Sequence, residues 1–198
     1  MICSRSALLA AIAAIALALS ACGREAATPT LQHALFADPP VLVGEFILTD
    51  QHNAPFTRAD LLGRWTLLFS GFTHCPDICP ATLGILRAAQ SDLEARDDLQ
   101  TVLVTVDPAR DTPAQLAEYL AWFDEDWIGL TGETKELNRL LEPLQMAYVR
   151  VPTGGGEYTM DHASAVALID PRGQLIAWWR APIEAAALAQ DLRGLPVQ

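Results

Sequence analysis

At 198 residues the chain is long enough for one domain with a substantial core. It carries 24 acidic against 13 basic side chains, a formal net charge of −11. That balance disfavours nucleic-acid binding, which needs a basic footprint for phosphate. An acidic surface suits solubility, cations or a basic protein partner instead.

The first predicted element is an export signal. Met1 to Ser6 carries one positive charge, Arg5, and Ala7 to Leu19 is thirteen residues of Ala, Leu and Ile. This run is too short for a stable membrane span and has the length of a signal-peptide core. It closes on Leu19-Ser20-Ala21-Cys22, which resembles the bacterial lipoprotein box, where the Cys is acylated and becomes the new N-terminus. Residues 1–21 therefore read as a lipoprotein-type signal peptide, Cys22 as the lipidation site, and 22–40 as a lipid-attached linker rich in Ala, Thr and Pro. The alternatives are an ordinary secretory signal cleaved near Ala21 and an uncleaved membrane anchor, which the short apolar run disfavours. Processing at Cys22 leaves 177 residues, and loss of Arg5 leaves 12 basic against 24 acidic groups, a net charge of −12. An acyl chain would hold the domain on a membrane of the bacterial cell envelope, facing the periplasm or extracytoplasmic space.

The domain itself spans 41–198. Glu45 to Thr49 is a short β-like run, followed by a turn at Asn53-Ala54-Pro55. Trp65 to Phe69 has the continuous apolar character of a buried central strand and leads directly into a cysteine pair. Leu83 to Ala95 has helical spacing, with Leu83, Leu86 and Leu93 on one side. Thr101 to Val106 is a second buried-strand run. Thr112-Pro113 is an N-cap with Pro at the first helical position, opening a helix through Phe123. Glu133 to Leu141 is a third helix. Ala147 to Val151 and Tyr158 to His162 flank a turn at Gly154-Gly155-Gly156. Ala165 to Ile169 and Leu175 to Trp179 form a hairpin around Asp170-Pro171-Arg172-Gly173, and Ile183 to Leu192 is a closing helix. This order describes an α/β domain with a mixed central sheet flanked by helices. A cysteine pair between a first buried strand and a helix is the thioredoxin-like arrangement.

The chemistry concentrates in Thr73-His74-Cys75-Pro76-Asp77-Ile78-Cys79-Pro80. Cys3 leaves with the signal and Cys22 is spoken for by lipid, so Cys75 and Cys79 are the remaining free thiols. A Cys-x-x-x-Cys pair is a local disulfide, a metal clamp or a redox couple. With a helix beginning near Pro76, Cys75 sits at its N-terminus, where N–H groups and the helix dipole favour thiolate. Side chains four apart on a helix have Cβ atoms roughly 5–6 Å apart, whereas a disulfide prefers about 3.5–4.5 Å. A bridging metal spans that larger gap more naturally, a mild preference that leaves dithiol exchange open.

Soft thiolates suit copper(I), with imidazole acceptable as a further ligand. Four histidines remain in the processed chain. His33 in the linker and His52 in a turn read as solvated surface. His74 abuts Cys75 in an extended segment whose neighbouring side chains diverge. His162 closes a strand after Asp161; taken alone, such a histidine is more often structural than a ligand. Asp161 could orient it or simply serve the turn. Asp107 and Asp111 read as local features, one ending a strand before Pro and the other preceding a helix N-terminus. Trp178-Trp179 reads as one core and one surface aromatic.

Five segments carry a resemblance. They are Gly71-Phe72-Thr73-His74-Cys75-Pro76-Asp77-Ile78-Cys79-Pro80, Thr105-Val106-Asp107-Pro108-Ala109-Arg110-Asp111-Thr112-Pro113, Trp127-Ile128-Gly129-Leu130-Thr131-Gly132, Tyr158-Thr159-Met160-Asp161-His162 and Leu168-Ile169-Asp170-Pro171-Arg172-Gly173. In this order they resemble the Sco/SenC family of copper-binding assembly factors for cytochrome c oxidase. The resemblance implies that 41–198 is a thioredoxin-like copper-binding domain in which Cys75, Cys79 and His162 hold one copper ion, Cu(I) or Cu(II). It implies a copper chaperone serving the dinuclear copper site of an oxidase subunit, with other copper chaperones or thiol reductants as further partners. The alternative is a thiol-disulfide reductase in which Cys75 and Cys79 are the redox-active pair, keeping the cysteines of that site or of other extracytoplasmic clients reduced. His162 separates the two, since a metal site needs it and dithiol exchange does not. The lipid tether departs from the transmembrane helix of many family members.

Overall fold

The computed structural model describes residues 29–91, 93 and 96–197. The expected signal peptide and the expected lipidation site, Cys22, lie outside these residues. Along the chain run β1 (Leu35–Leu42), β2 (Ile47–Asp50), β3 (Pro55–Thr57), a 3-10 turn (Arg58–Leu61), β4 (Trp65–Gly71), α1 (Ile78–Ser91), β5 (Leu99–Thr105) and α2 (Pro113–Leu120). There follow β6 (Ile128–Thr131), α3 (Thr134–Leu141), β7 (Tyr148–Gly154), β8 (Glu157–His162), β9 (Val166–Ile169), β10 (Gln174–Trp179) and α4 (Ala185–Arg193).

Eight strands form one sheet in the order β1-β10-β9-β4-β5-β6-β2-β3. β4, β5 and β6 are parallel, and the remaining pairs are antiparallel, so the sheet is mixed as expected. The fold is thioredoxin-like. β4 is buried along its whole length, which is why its sequence runs apolar without alternation. α1 sends Leu83, Leu86 and Ala89 into the core and packs against α4. α2 starts on the expected Thr112 cap, whose hydroxyl accepts from the Gln115 amide. It lies so close to β6 that a Cβ on Gly129 would come within 2.9 Å of Leu120 and 3.0 Å of Leu116. Any larger residue there would force the two leucines to shift.

Three expectations are corrected. Residues 35–40 are not linker: they belong to β1, and Leu31 is already buried. β1 pairs with β10 at Leu35–Phe36 and again at Val41–Leu42, with an irregularity between. Asp38-Pro39-Pro40 fills that gap; prolines lack the N–H for pairing, which an edge strand tolerates. Upstream, the Gln32 and His33 amides donate to the Asp191 carboxylate at 2.6 and 3.0 Å. Second, both Trp178 and Trp179 are buried, because β1 makes β10 an interior strand. Their indole N–H groups donate to the Leu144 carbonyl and the Asp191 carboxylate. Third, the first helix begins at Ile78, more than a turn before the Leu83 where its helical spacing sets in.

β7 and β8 stand apart from the main sheet and pair only with each other. This hairpin carries His162 at its base, where Tyr148 is the register partner.

Candidate metal centre

The two parallel strands β4 and β5 end together, with Gly71 opposite Thr105. In open α/β sheets ligands sit beyond these carboxyl ends of the strands. After Gly71 the chain turns, and the Cys75 amide donates to the Phe72 carbonyl at 3.3 Å. α1 begins at Ile78, so Cys79 lies in its first turn while Cys75 precedes the helix. The expected start near Pro76, with Cys75 at the N-terminus and Cys79 one turn on, is thus close to the observed one. Pro76 has no amide to give, and the Asp77 carbonyl accepts from Ala81 at 3.1 Å. The Cys79 amide in turn points at Cys75 Sγ, 3.4 Å away, so the helix N-terminus orients the first sulfur toward the second.

Cys79 is fully buried and Cys75 partly so; both are free thiols. Gly71 makes room for the buried sulfur. A Cβ there would meet Phe69 at 3.0 Å, Cys79 Sγ at 3.1 Å and Leu103 at 3.2 Å. His162 comes in from the hairpin, its Nε2 3.4 Å from Cys79 Sγ and its Nδ1 2.9 Å from the Ala163 carbonyl. A carbonyl only accepts, so the proton sits on Nδ1 and the Nε2 lone pair faces the sulfur. Phe69 and Phe72 meet the imidazole edge-on, each with ring centroids 5.9 Å away. Ser70 Oγ donates to the same Ala163 carbonyl at 3.3 Å.

Burial sets the resting protonation. It pushes the Cys79 thiol far above its ordinary value, with the neighbouring Cys75 and Asp111 adding to the effect and a Phe72 backbone contact opposing it. It lowers His162, against smaller opposing effects from the Ala163 carbonyl and Asp161. Without a cation the site therefore holds a protonated Cys79 beside a neutral imidazole. A cation that displaces the Cys79 proton finds an imidazole lone pair already aimed at it.

Cys75 Sγ, Cys79 Sγ and a His162 ring nitrogen lie within 4.8 Å of one another. An ion held at roughly 2.3 Å from sulfur and 2.0–2.1 Å from nitrogen keeps its donors no more than about 4.6 Å apart. Small adjustments thus close the three donors on one ion. Two thiolates and one imidazole suit a soft or borderline metal.

The other candidates separate cleanly. His33 lies at the β1 end, 3.4 Å from the Gln190 amide oxygen, and His52 sits in the β2–β3 turn with its amide on Asp50. His74 turns away to Thr73 Oγ1 at 3.0 Å and lies outside the three-donor cluster. Asp161 is exposed, and the acceptor position it was offered beside His162 Nδ1 is taken by the Ala163 carbonyl. Asp107 and Asp111 are more than local features. Asp111 is fully buried and accepts from the Thr73 amide and hydroxyl at 3.1 and 2.6 Å and from the Thr105 hydroxyl at 2.5 Å. Asp107 accepts from Arg110 and from the Tyr158 hydroxyl at 2.9 Å. Sequence reasoning missed Thr73, Arg110, Tyr158 and Gly71 as supports. The available signal was that Tyr158 and His162 share one face of a strand by its two-residue period.

The molecule is thus a thioredoxin-like domain that carries a two-cysteine, one-histidine cluster at the carboxyl ends of its parallel strands. The chain belongs to the SCO1/SenC family, whose model matches residues 37–196. It is 44% identical over 147 residues to a Stutzerimonas stutzeri protein named as a candidate copper-binding protein, covering 73% of this chain and 72% of that one. It is 36% identical over 154 residues to the mouse mitochondrial SCO2 homologue, covering 76% of this chain but only 60% of the relative's length. Yeast Sco1 with copper bound superposes with a TM-score of 0.71 at 33% identity, covering 78% of this chain and 87% of that one. Bradyrhizobium japonicum ScoI with copper bound gives a TM-score of 0.68 at 36% identity, covering 78% and 99%.

Proposed function

We propose that this domain binds one copper ion through Cys75, Cys79 and His162 and passes it to the dinuclear copper site of cytochrome c oxidase. The observation that carries the binding step is the convergence of these three donors within 4.8 Å from two separate parts of the chain. Copper-bound structures of relatives from yeast and Bradyrhizobium support the choice of metal, and the donor set suits copper(I), with the imidazole adding support for copper(II). The delivery step rests on family membership.

The apolar run ending at Leu-Ser-Ala-Cys supports attachment of the domain to a bacterial envelope membrane through acylated Cys22. Among the described residues no helix is long and apolar enough to cross a membrane. A second reading, thiol-disulfide exchange, draws on one specific observation: Cys75 is partly exposed while Cys79 is buried, so one sulfur is open to attack and the other is shielded.

Copper titration of the reduced protein tests the proposal. Wild type takes up one equivalent; Cys75→Ser and Cys79→Ser each lose tight copper(I) binding; His162→Ala loses copper(II) binding more than copper(I). In cells, His162→Ala at limiting copper fails to assemble the oxidase copper site. Full assembly in that strain would favour thiol exchange over copper hand-over.

A further inference from the structure

The connection from β5 to α2, residues 106–112, grips both ligand-bearing segments at once. On one side Asp111 takes the Thr73 amide and hydroxyl, two residues before Cys75. On the other, Asp107 and Arg110 take Tyr158, four residues before His162 and on the same strand face. The two grips differ in what else supports each segment. The cysteine segment is also fixed by β4 and by the first turn of α1. The histidine hairpin makes no backbone pairing with the main sheet, and an isolated two-stranded hairpin is marginal in water.

The contacts on Tyr158 are dense for such an exposed hairpin. Its hydroxyl donates to Asp107 Oδ1 at 2.9 Å, and its carbonyl accepts from Arg110 Nη1 at 3.3 Å. Its ring lies 3.9 Å from the Arg110 guanidinium and 3.7 Å from that of Arg150. Arg110 Nε donates to the other oxygen of the buried Asp107 carboxylate, so the carboxylate holds tyrosine and arginine together. Arg110 also reaches toward Phe72, whose ring touches the His162 imidazole.

We propose that Asp107, Arg110 and Tyr158 form a latch that positions the His162 hairpin, and through it sets the preference of the site for copper(II) relative to copper(I). The inference rests on the reading of Cys75, Cys79 and His162 as copper ligands. Two thiolates alone can hold copper(I), whereas copper(II) draws on the imidazole. A loosened hairpin therefore costs copper(II) affinity first. Tyr158, Arg110 and Asp107 are positioning residues; they touch neither the ion nor its donors.

Competition titrations with both ions, together with copper(II) absorption and paramagnetic resonance spectra, test the latch. Tyr158→Leu removes the ring and the hydroxyl. It is expected to weaken copper(II) by up to about 10-fold, the lower end of the loss for a group bonded directly to a metal ligand, since Tyr158 acts one step further out, and to move the spectra toward those of His162→Ala. Its copper(I) affinity changes far less. Tyr158→Phe keeps the ring between the guanidiniums and restores part of the loss. A wild-type copper(II) spectrum and affinity in Tyr158→Leu overturn the latch. An equal fall for both ions overturns it too, because that marks support of the fold alone. Should Tyr158→Leu not fold, the same ratio is read in Arg110→Lys, which keeps the charge and loses the fork. Unchanged copper(II) binding in His162→Ala would instead overturn the underlying ligand reading.

Discussion

His162 Nε2 lies 3.4 Å from Cys79 Sγ although 83 positions separate the two residues. The histidine arrives on a hairpin outside the main sheet, and the cysteine sits in the first turn of a core helix. In the metal-free protein the contact pairs a thiol proton with an imidazole lone pair. The residues proposed to bind an ion therefore satisfy one another before it arrives, and uptake would exchange a proton for a cation.

That exchange predicts a pH window for the metal-free, reduced protein. Burial raises Cys79, so above about pH 8.5, the ordinary thiol value, the unfolded chain releases a proton that the native one keeps. The native state then binds more protons, and stability falls as pH rises, by up to about 1.4 kcal/mol per pH unit. His162 works in the opposite sense. Its lowered value means that below about pH 6.5 the unfolded chain gains a proton that the native one refuses, so stability falls with falling pH. Chemical denaturation between pH 5 and 10 checks both limbs: Cys79→Ser flattens the limb between about pH 8.5 and 10, and His162→Gln flattens the acid one. Tyr119 and Tyr148 are also raised by burial and bend both curves above their ordinary value of about 10.

Gly71→Ala probes the space around the buried sulfur. The new methyl would sit 3.1 Å from Cys79 Sγ, with Phe69 and Leu103 as close on other sides. No neighbour there is the free end of a surface side chain. The expected cost is about 1–3 kcal/mol of stability, with displacement of Cys79 and weaker copper binding of both oxidation states. Denaturant melts and copper competition check the two effects together. An unchanged copper affinity would show that the sulfur has room to retreat.

Much of this arrangement could be read from residues alone, and what could not has a physical cause. The buried strands β4 and β5 and the capped helix α2 carry strong local signals, namely continuous apolar runs and Thr112-Pro113. The cysteine pair and His162 could be named, although only the resemblance raised His162 above an ordinary structural histidine. β1 was hidden because Asp38-Pro39-Pro40 imitates a linker, and its pairing depends on a strand 130 and more residues away. The burial of both tryptophans follows from that pairing and was missed with it. Asp107 and Asp111 looked local because their partners Tyr158 and Thr73 are set by tertiary contact, not by spacing.

Asp191 ties the missed strand to the domain. Its buried carboxylate accepts from the Gln32 and His33 amides and from the Trp179 indole. Asp191→Ala leaves those donors short of a partner, and hydrogen bonds to a charged acceptor contribute about 1.5–3 kcal/mol each. The loss is expected to fall on β1 first. Hydrogen exchange should show faster exchange at Gln32 and His33 in the variant, with the copper site intact. Protection equal to wild type at these amides would mean that strand pairing alone holds the segment.

Oxidation is expected to switch the site off. A disulfide needs its sulfurs about 2.05 Å apart, closer than any ion would hold them. Cys79 is fully buried in the first turn of α1, so closure draws on movement of the partly exposed Cys75, which lies in the turn ahead of the helix. The disulfide removes both thiolate donors and leaves His162 without its sulfhydryl partner. The oxidised protein should therefore refuse copper until an external thiol reduces it, since among the described residues no other cysteine is available to exchange internally. The fold should persist, because a bridge between residues four apart closes a very short loop and constrains the unfolded chain little. Calorimetric titration of the oxidised and re-reduced protein, with thermal melts of each, checks both parts. Copper uptake by the fully oxidised protein would show that the two thiolates are dispensable and that binding lies elsewhere.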